Sequence, residues 1–392
     1  MNALYIRASR VVTPAGVVED GAVLVEGERI TAVDHAVTLP PPAGAALHQC
    51  DVLMPGFIDM HTHGALGKSF ADSADAAHSI ARDMARNGVT TVYAGLGYGA
   101  TLEAVAATVT AAAEAAGDTG GARLEGAFLE GPFISPAKKG AWSAPHLRTP
   151  DVTELRQLIA AAQGMLRRIN VAPELPQALD FIREARRQGL MASIGHSNAT
   201  YDEAIAGIEA GATIANHTYN AMSALDHRAP GVVGAVLTND GLLAELILDG
   251  VHVHPAAAAA LFRARGARGV ALITDSVLMA GRPDGTYQAG HRTLTVKDGT
   301  CRLPDGTLAG SVATFDQCVR NTAKLLGPDL PALAAVSATN AADAMGIGDE
   351  TGAISSGRYA DLVLLNDSLE PQVTIVRGKV VFERTPPDGD SA

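Results

Sequence analysis

The sequence predicts an α/β protein: a (β/α)8, TIM-like barrel with a small β-sandwich domain formed by both termini. Three observations predict it. In the middle of the chain, apolar strand-like runs alternate eight times with Ala-rich helical runs. At both ends, β-branched runs are separated by Gly and Asp turns. The polar residues of the middle gather at the C-terminal ends of its strand-like runs.

Taken in order, ALYIRASRVVTPAG and GAVLVEGERITAVD read as N-terminal strands, and DLVLLND and VTIVRGKVVFE as C-terminal ones. Residues 1–54 and 346–392 are therefore expected to pair as the small β-domain. Residues 55–345 form the expected barrel. Its eight strand runs are FIDMHTHG, VTTVYAGL, LEGAFLEGP, RINVAPE, MASIGHS, ATIANHTYN, LAELILDG and GVALITDS. Helical patterns such as DAAHSIARDMARNG, LEAVAATVTAAAEAAG, QALDFIREARRQG and DEAIAGIEAG lie between them and end at Gly, a common C-cap. A Gly-rich β-hairpin insert is expected near 284–310, after the eighth strand. Residues 317–347 read as helical and close the barrel.

Composition narrows the function. The 392 residues exceed the roughly 250 that a barrel of this type uses, and 47% are hydrophobic, which excludes a disordered chain. No run approaches the roughly 20 apolar residues of a membrane span. The net charge of −12 argues against nucleic acid and anionic membrane as partners. Cys50, Cys301 and Cys318 make neither a disulfide framework nor a CxxC metal site. The start, MNALYIRASR, lacks a long apolar segment, so no signal peptide is expected and a cytoplasmic enzyme is.

The 12 His residues decide more. The first strand ends in His61-Thr62-His63, the third in Glu130, the fifth in His196, the sixth in His217 and the eighth in Thr274-Asp275; Asp249 and His252 follow the seventh. Strands buried on both faces avoid such groups unless something satisfies them. Imidazole and carboxylate together suit zinc or another divalent transition metal. An H-x-H pair on a strand puts both rings on one face, whereas Glu130, His196 and His217 converge only if a barrel closes. His48, His78 and His291 read as surface residues, and His254 as a loop residue.

At these residues the chain resembles the amidohydrolase superfamily and, within it, the N-acetylglucosamine-6-phosphate deacetylase family. The motifs are PGFIDMHTHG at 55–64, LEGPFISPAKKGA at 129–141, IGHSNAT at 194–200, NHTYNAMS at 216–223, RAPGVVGA at 228–235, DGVHVHP at 249–255, LITDSV at 272–277 and GTLAGS at 306–311. The resemblance covers essentially the whole chain and implies a metal-dependent hydrolase barrel. It also implies hydrolysis of N-acetyl-D-glucosamine 6-phosphate to D-glucosamine 6-phosphate and acetate, in amino-sugar catabolism or cell-wall recycling. Glu130, His196 and His217 match the primary metal ligands. His61 and His63 match the pair that holds a second ion in some members. One or two divalent ions per subunit are expected, zinc first, with iron, manganese or cobalt as alternatives. Asp275 matches the catalytic acid/base, and His252 the group on the amide carbonyl. Ala141, Asn220, Ala221, Arg228, Asp249, His252, Leu308, Ala309 and Gly310 match substrate-binding positions, with Arg228 expected at the phosphate. The family is commonly a homodimer.

One position departs from the pattern. After KKGA the family commonly has His; here Trp142 follows, and His146 comes four residues later. Trp142 is expected to stack on the sugar, unless His146 takes over the role through a shifted loop or the specificity differs. The alternatives are therefore the N-acetylgalactosamine 6-phosphate epimer, an unphosphorylated N-acetyl hexosamine, or a non-catalytic scaffold of the same fold. The fourth run, RINVAPE, lacks the Lys that cyclic-amide hydrolases carbamylate to bridge two metals, and Glu130 can bridge instead.

Overall fold

The structure, a computed structural model, describes residues 3–96, 101–290, 292–327 and 329–385. The eight strand runs all form strands: β1 (Phe57–Thr62), β2 (Val89–Leu96), β3 (Arg123–Leu129), β4 (Leu166–Asn170), β5 (Met191–Ile194), β6 (Ala212–Ala215), β7 (Leu243–Leu246) and β8 (Val270–Leu272). They make one parallel sheet in sequence order, each separated from the next by a helix packed outside it. The ends meet through side chains and loops. Asp275 N–H donates to the His61 carbonyl at 2.9 Å, His63 N–H donates to Ser276 O at 2.7 Å, and Thr274 Oγ1 donates to Asp59 at 2.5 Å. These contacts close the (β/α)8 barrel between β8 and β1.

The helices start where the sequence supplies caps. Ser73, Thr101, Asp151 and Thr200 each accept a backbone N–H from the first turn, and Thr200 forms a full capping box with Glu203. Both termini join in one mixed sheet of seven strands among the described residues. Leu362–Leu365 pairs with Ala46–Pro55, which pairs with Leu4–Thr13. Side-chain alternation gives these strands two cores. Leu53, Leu362 and Leu364 pack with Ile6, Val23 and Ile375 inside the sheet's own cluster. Val52, Met54, Val363 and Leu365 point the other way, into the barrel's cluster. Burial on both faces explains why Leu362–Leu365 and the end of Ala46–Pro55 from Val52 onward are continuously apolar.

The insert after β8 is an antiparallel sheet of Gly285–Ala289, Arg292–Lys297 and Thr300–Arg302. Its apolar side packs Leu294, Val296 and Cys301 against Val277 and Ala309, roofing the C-terminal end of the barrel. Helices Phe315–Leu326, Leu330–Ala334 and Asn340–Ala344 complete the wall. No described helix is long and apolar enough to cross a membrane.

Candidate metal and substrate site

His61 lies on β1, and His63 follows one residue past its end, at the two-residue spacing that puts both rings on one side. Glu130 follows directly after β3. His196, His217 and Asp275 lie beyond the last residues of β5, β6 and β8, not on the strands as the sequence suggested. At these three the backbone turns left-handed, with φ of +48°, +29° and +48°. Such conformations cost a non-glycine residue about 1–3 kcal/mol and gather at functional sites. The turns need room: a Cβ on Gly195 would lie 2.5 Å from Asn216 Cβ, so only glycine lets the ends of β5 and β6 approach.

Four imidazoles converge here. Glu130 Oε1 lies 3.2 Å from His196 Nε2, 3.1 Å from His217 Nε2 and 3.3 Å from His61 Nε2. His63 Nε2 lies 3.3 Å from both Glu130 Oε2 and Asp275 Oδ1, and His61 Nε2 lies 3.6 Å from Asp275 Oδ1. The outward nitrogens meet acceptors. His63 Nδ1 contacts Gly95 O at 3.1 Å, His196 Nδ1 contacts Lys138 O at 2.8 Å, His217 Nδ1 contacts Asn220 O at 3.1 Å, and His61 Nδ1 contacts Glu245 Oε2 at 2.7 Å. Carbonyls and carboxylates only accept, so each Nδ1 carries the proton and each Nε2 turns a lone pair inward.

The centre is thus lined by lone pairs and carboxylate oxygens, an arrangement that needs cations. His61 Nε2 is fully buried without a hydrogen-bond partner. Two overlapping donor clusters result, His61–His63–Asp275 and His61–Glu130–His217. The electrostatics agree. Burial alone would raise the Glu130 carboxyl, but His196, His217 and His61 pull it well below its ordinary value. Burial opposes a charge on His61, yet Glu245, Glu130 and Asp275 would hold a proton there up to about 9. The site is built to keep positive charge, and its N/O donor set fits zinc and similar divalent ions.

Residues 52–381 match the amidohydrolase family. The chain belongs to that family. Over 97% of this amidohydrolase and 98% of the relative, it is 34% identical to the N-acetylglucosamine-6-phosphate deacetylase of Bacillus subtilis (strain 168). It is also 34% identical to the N-acetylgalactosamine-6-phosphate deacetylase of Escherichia coli O157:H7, over 96% of this chain and 98% of that one. An aspartate-to-alanine variant of N-acetyl-D-glucosamine-6-phosphate deacetylase from Mycobacterium smegmatis, solved with N-acetyl-D-glucosamine-6-phosphate, superposes with a TM-score of 0.90. It is 31% identical, and the match covers 97% of this chain and all of that one.

Above the donor centre, the amidohydrolase carries a cavity of about 350 Å³. Of the expected residues, His63, Glu130, His196, His217, His252 and Asp275 reach it, as do Ala141, Trp142, Asn220, Ala221, Leu308, Ala309 and Gly310. His61 lies beneath it. Asp249 acts from behind: its Oδ2 is 2.7 Å from His252 Nδ1, and its Oδ1 accepts the N–H groups of Val251 and His252. Burial would lower the His252 pKa, but Asp249 outweighs it and raises it; the Asp249 carboxyl, opposed by burial, is lowered by His252.

Arg228 stands apart from the cavity lining, on the exposed stretch 224–229. Exposed His227 pairs there with Asp226 at 3.5 Å. His254 caps helix Pro255–Arg265, and His291 lies outside the described residues. Trp142 is buried with its ring edge against Gly131 and lines both the main cavity and a second one reached by His146. Sequence reasoning passed over Glu245, a charged residue inside the apolar run LAELILDG that therefore needs a buried partner, and Arg168, which the run LRRIN does not mark off from Arg167. Lys138 and Arg292 also line the cavity.

Proposed function

We propose that the protein hydrolyses N-acetyl-D-glucosamine 6-phosphate to D-glucosamine 6-phosphate and acetate. The single observation behind this reading is the convergence of four imidazole lone pairs, Glu130 and Asp275 at the floor of a sugar-sized cavity. Full-length similarity to deacetylases of 6-phosphorylated N-acetyl amino sugars supports it. In this reading His61, His63, Glu130, His196 and His217 hold one or two divalent ions, zinc first. A bound ion supplies Lewis acidity to the amide carbonyl and acidifies water.

The chain's own groups do the rest. Asp275, ionised and beside His63, takes a proton from the attacking water and returns it to the departing amine. His252 donates from Nε2 to the carbonyl oxygen as charge develops there. Since its Nδ1–H is bound to Asp249, that donation requires the imidazolium form, which Asp249 favours. Ala141, Trp142, Leu308, Ala309 and Gly310 enclose the sugar and exclude water, and the region of Asn220 and Ala221 receives the phosphate. Arg228, exposed on its loop, is assigned to the phosphate across a homodimer interface. The enzyme is placed in the cytoplasm, in amino-sugar catabolism.

Steady-state kinetics on N-acetylglucosamine 6-phosphate, N-acetylgalactosamine 6-phosphate and unphosphorylated N-acetylglucosamine test the proposal. The first substrate is expected to have the highest kcat/KM. A higher value for the unphosphorylated sugar would remove the phosphate assignment, and no turnover of any of the three by zinc-loaded protein would remove the function.

A further inference from the structure

The outer partners of the four imidazoles are not alike. Three Nδ1 atoms meet backbone carbonyls, whereas that of His61 meets the side chain of Glu245 on β7. Glu245 is fully buried, and so is its partner Arg168 on β4. Glu245 Oε1 is 2.6 Å from Arg168 Nη1, while Oε2 accepts from both His61 Nδ1 and the His217 backbone N–H at 3.1 Å. Arg168 is itself fixed: Nη2 donates to Asn216 Oδ1 at 2.9 Å, and the guanidinium lies 3.7 Å from the centre of the Phe128 ring. A chain of charge therefore runs beneath the site from Arg168 through Glu245 to His61.

Such a pair is a poor device for stability, because apolar residues of the same volume often serve a core as well. It is a good device for orientation. An arginine stays charged at any working pH, so Glu245 stays a carboxylate and can only accept. His61 is then obliged to carry its proton on Nδ1 and to turn the Nε2 lone pair toward Glu130 and Asp275. His61 is also the residue shared by both donor clusters. We propose that Glu245, locked by Arg168, is the positioning residue that fixes the His61 tautomer and thereby sets how tightly the ion nearest His61 and His63 is held. This rests on the metal-site reading above.

The test uses zinc-loaded protein in four forms: wild type, Glu245→Gln, Glu245→Gln with Arg168→Met, and His61→Asn. The double variant removes the charge that the single one strands. Zinc content is measured after dialysis against graded chelator. Ring-nitrogen NMR of histidine-labelled protein reads the His61 tautomer, assigned by the signal missing in His61→Asn. Glu245→Gln and the double variant are expected to lose one zinc at roughly 10–100-fold weaker chelation than wild type, His61→Asn to lose the same ion, and wild-type His61 to carry its proton on Nδ1. A folded double variant with the wild-type zinc profile overturns the proposal. So does a His61→Asn profile equal to wild type, or a wild-type His61 protonated on Nε2; this last readout needs only His61→Asn to fold and decides even if neither Glu245 variant does. A wild-type protein that binds no zinc fails differently, since it removes the metal-site reading itself.

Discussion

Asp275→Asn isolates proton transfer from architecture. The carboxylate reaches the site through Oδ1, 3.3 Å from His63 Nε2 and 3.6 Å from His61 Nε2. Its backbone does separate work: N–H donates to His61 O and C=O accepts from Ser311, each at 2.9 Å. Asparagine keeps the volume, tolerates the left-handed backbone at φ +48° and leaves both backbone bonds intact. It removes a carboxylate charge that burial and Glu130 oppose and that His63 and His61 favour, and with both backbone bonds kept the metal-free fold is expected to unfold within a few degrees of wild type. What disappears is a base that can take a proton and give it back. General acid–base catalysis contributes about 10²–10⁴-fold, so kcat is expected to fall about 1,000-fold, equivalent to ~4 kcal/mol of barrier. KM should change little, because the cavity walls are untouched. The assay is acetate release under saturating substrate, with zinc content measured on the same sample. A variant with wild-type zinc and a kcat within tenfold of wild type would refute the role given to Asp275.

Three further outcomes are expected. Asp249→Asn removes the charge that raises the His252 pKa against burial. The imidazolium is lost as pH rises through that pKa, so the alkaline limb of kcat/KM should move to lower pH, about tenfold in activity per pH unit once above it; an unmoved limb excludes His252 as the donor. Chelation should abolish turnover and, at free zinc about 1,000-fold above Kd, remove about 4 kcal/mol of stability; calorimetry showing equal Tm with and without chelator contradicts a bound ion. Trp142→Ala should enlarge the two cavities that the indole lines, destabilise the fold by about 3–5 kcal/mol and raise KM about tenfold or more. An unchanged KM means that the indole does not contact the sugar.

The legible part of the fold was its alternation. The run VTTVYAGL coincides with β2 from Val89 to Leu96, and the paired termini emerged from β-branched runs at both ends. The reading failed at strand ends. MASIGHS, ATIANHTYN and GVALITDS read as strands through their polar residues, yet β5, β6 and β8 stop two or three residues before His196, His217 and Asp275. Nothing in the identity of His196, His217 or Asp275 announces a positive φ, since that conformation is imposed by the packing around them and not by local preference. The site was legible as a set of ligand types in register with strand ends. Arg228 was legible only through a motif, and a motif carries no information about which face its loop presents.

Glu245 and Arg168 show a different limit. Glu245 stands in the apolar run LAELILDG, and a buried charge without a partner is too costly to persist, so the sequence announces that it needs a countercharge without saying which. Arg168 stands beside Arg167 at the start of RINVAPE, and the fold decides that Arg168 is the buried one of the two. β4 and β7 are not neighbours in the sheet, so local pairing rules never bring them together; the pair meets only across the interior of a closed barrel. The same closure brings His61 within 2.7 Å of Glu245 and 3.3 Å of Glu130. Closure thus creates the candidate ligand set and its outer support in one step, and a partly open barrel would lose both. Metal retention and barrel integrity should consequently fail together on heating, while substitution at Glu245 separates them.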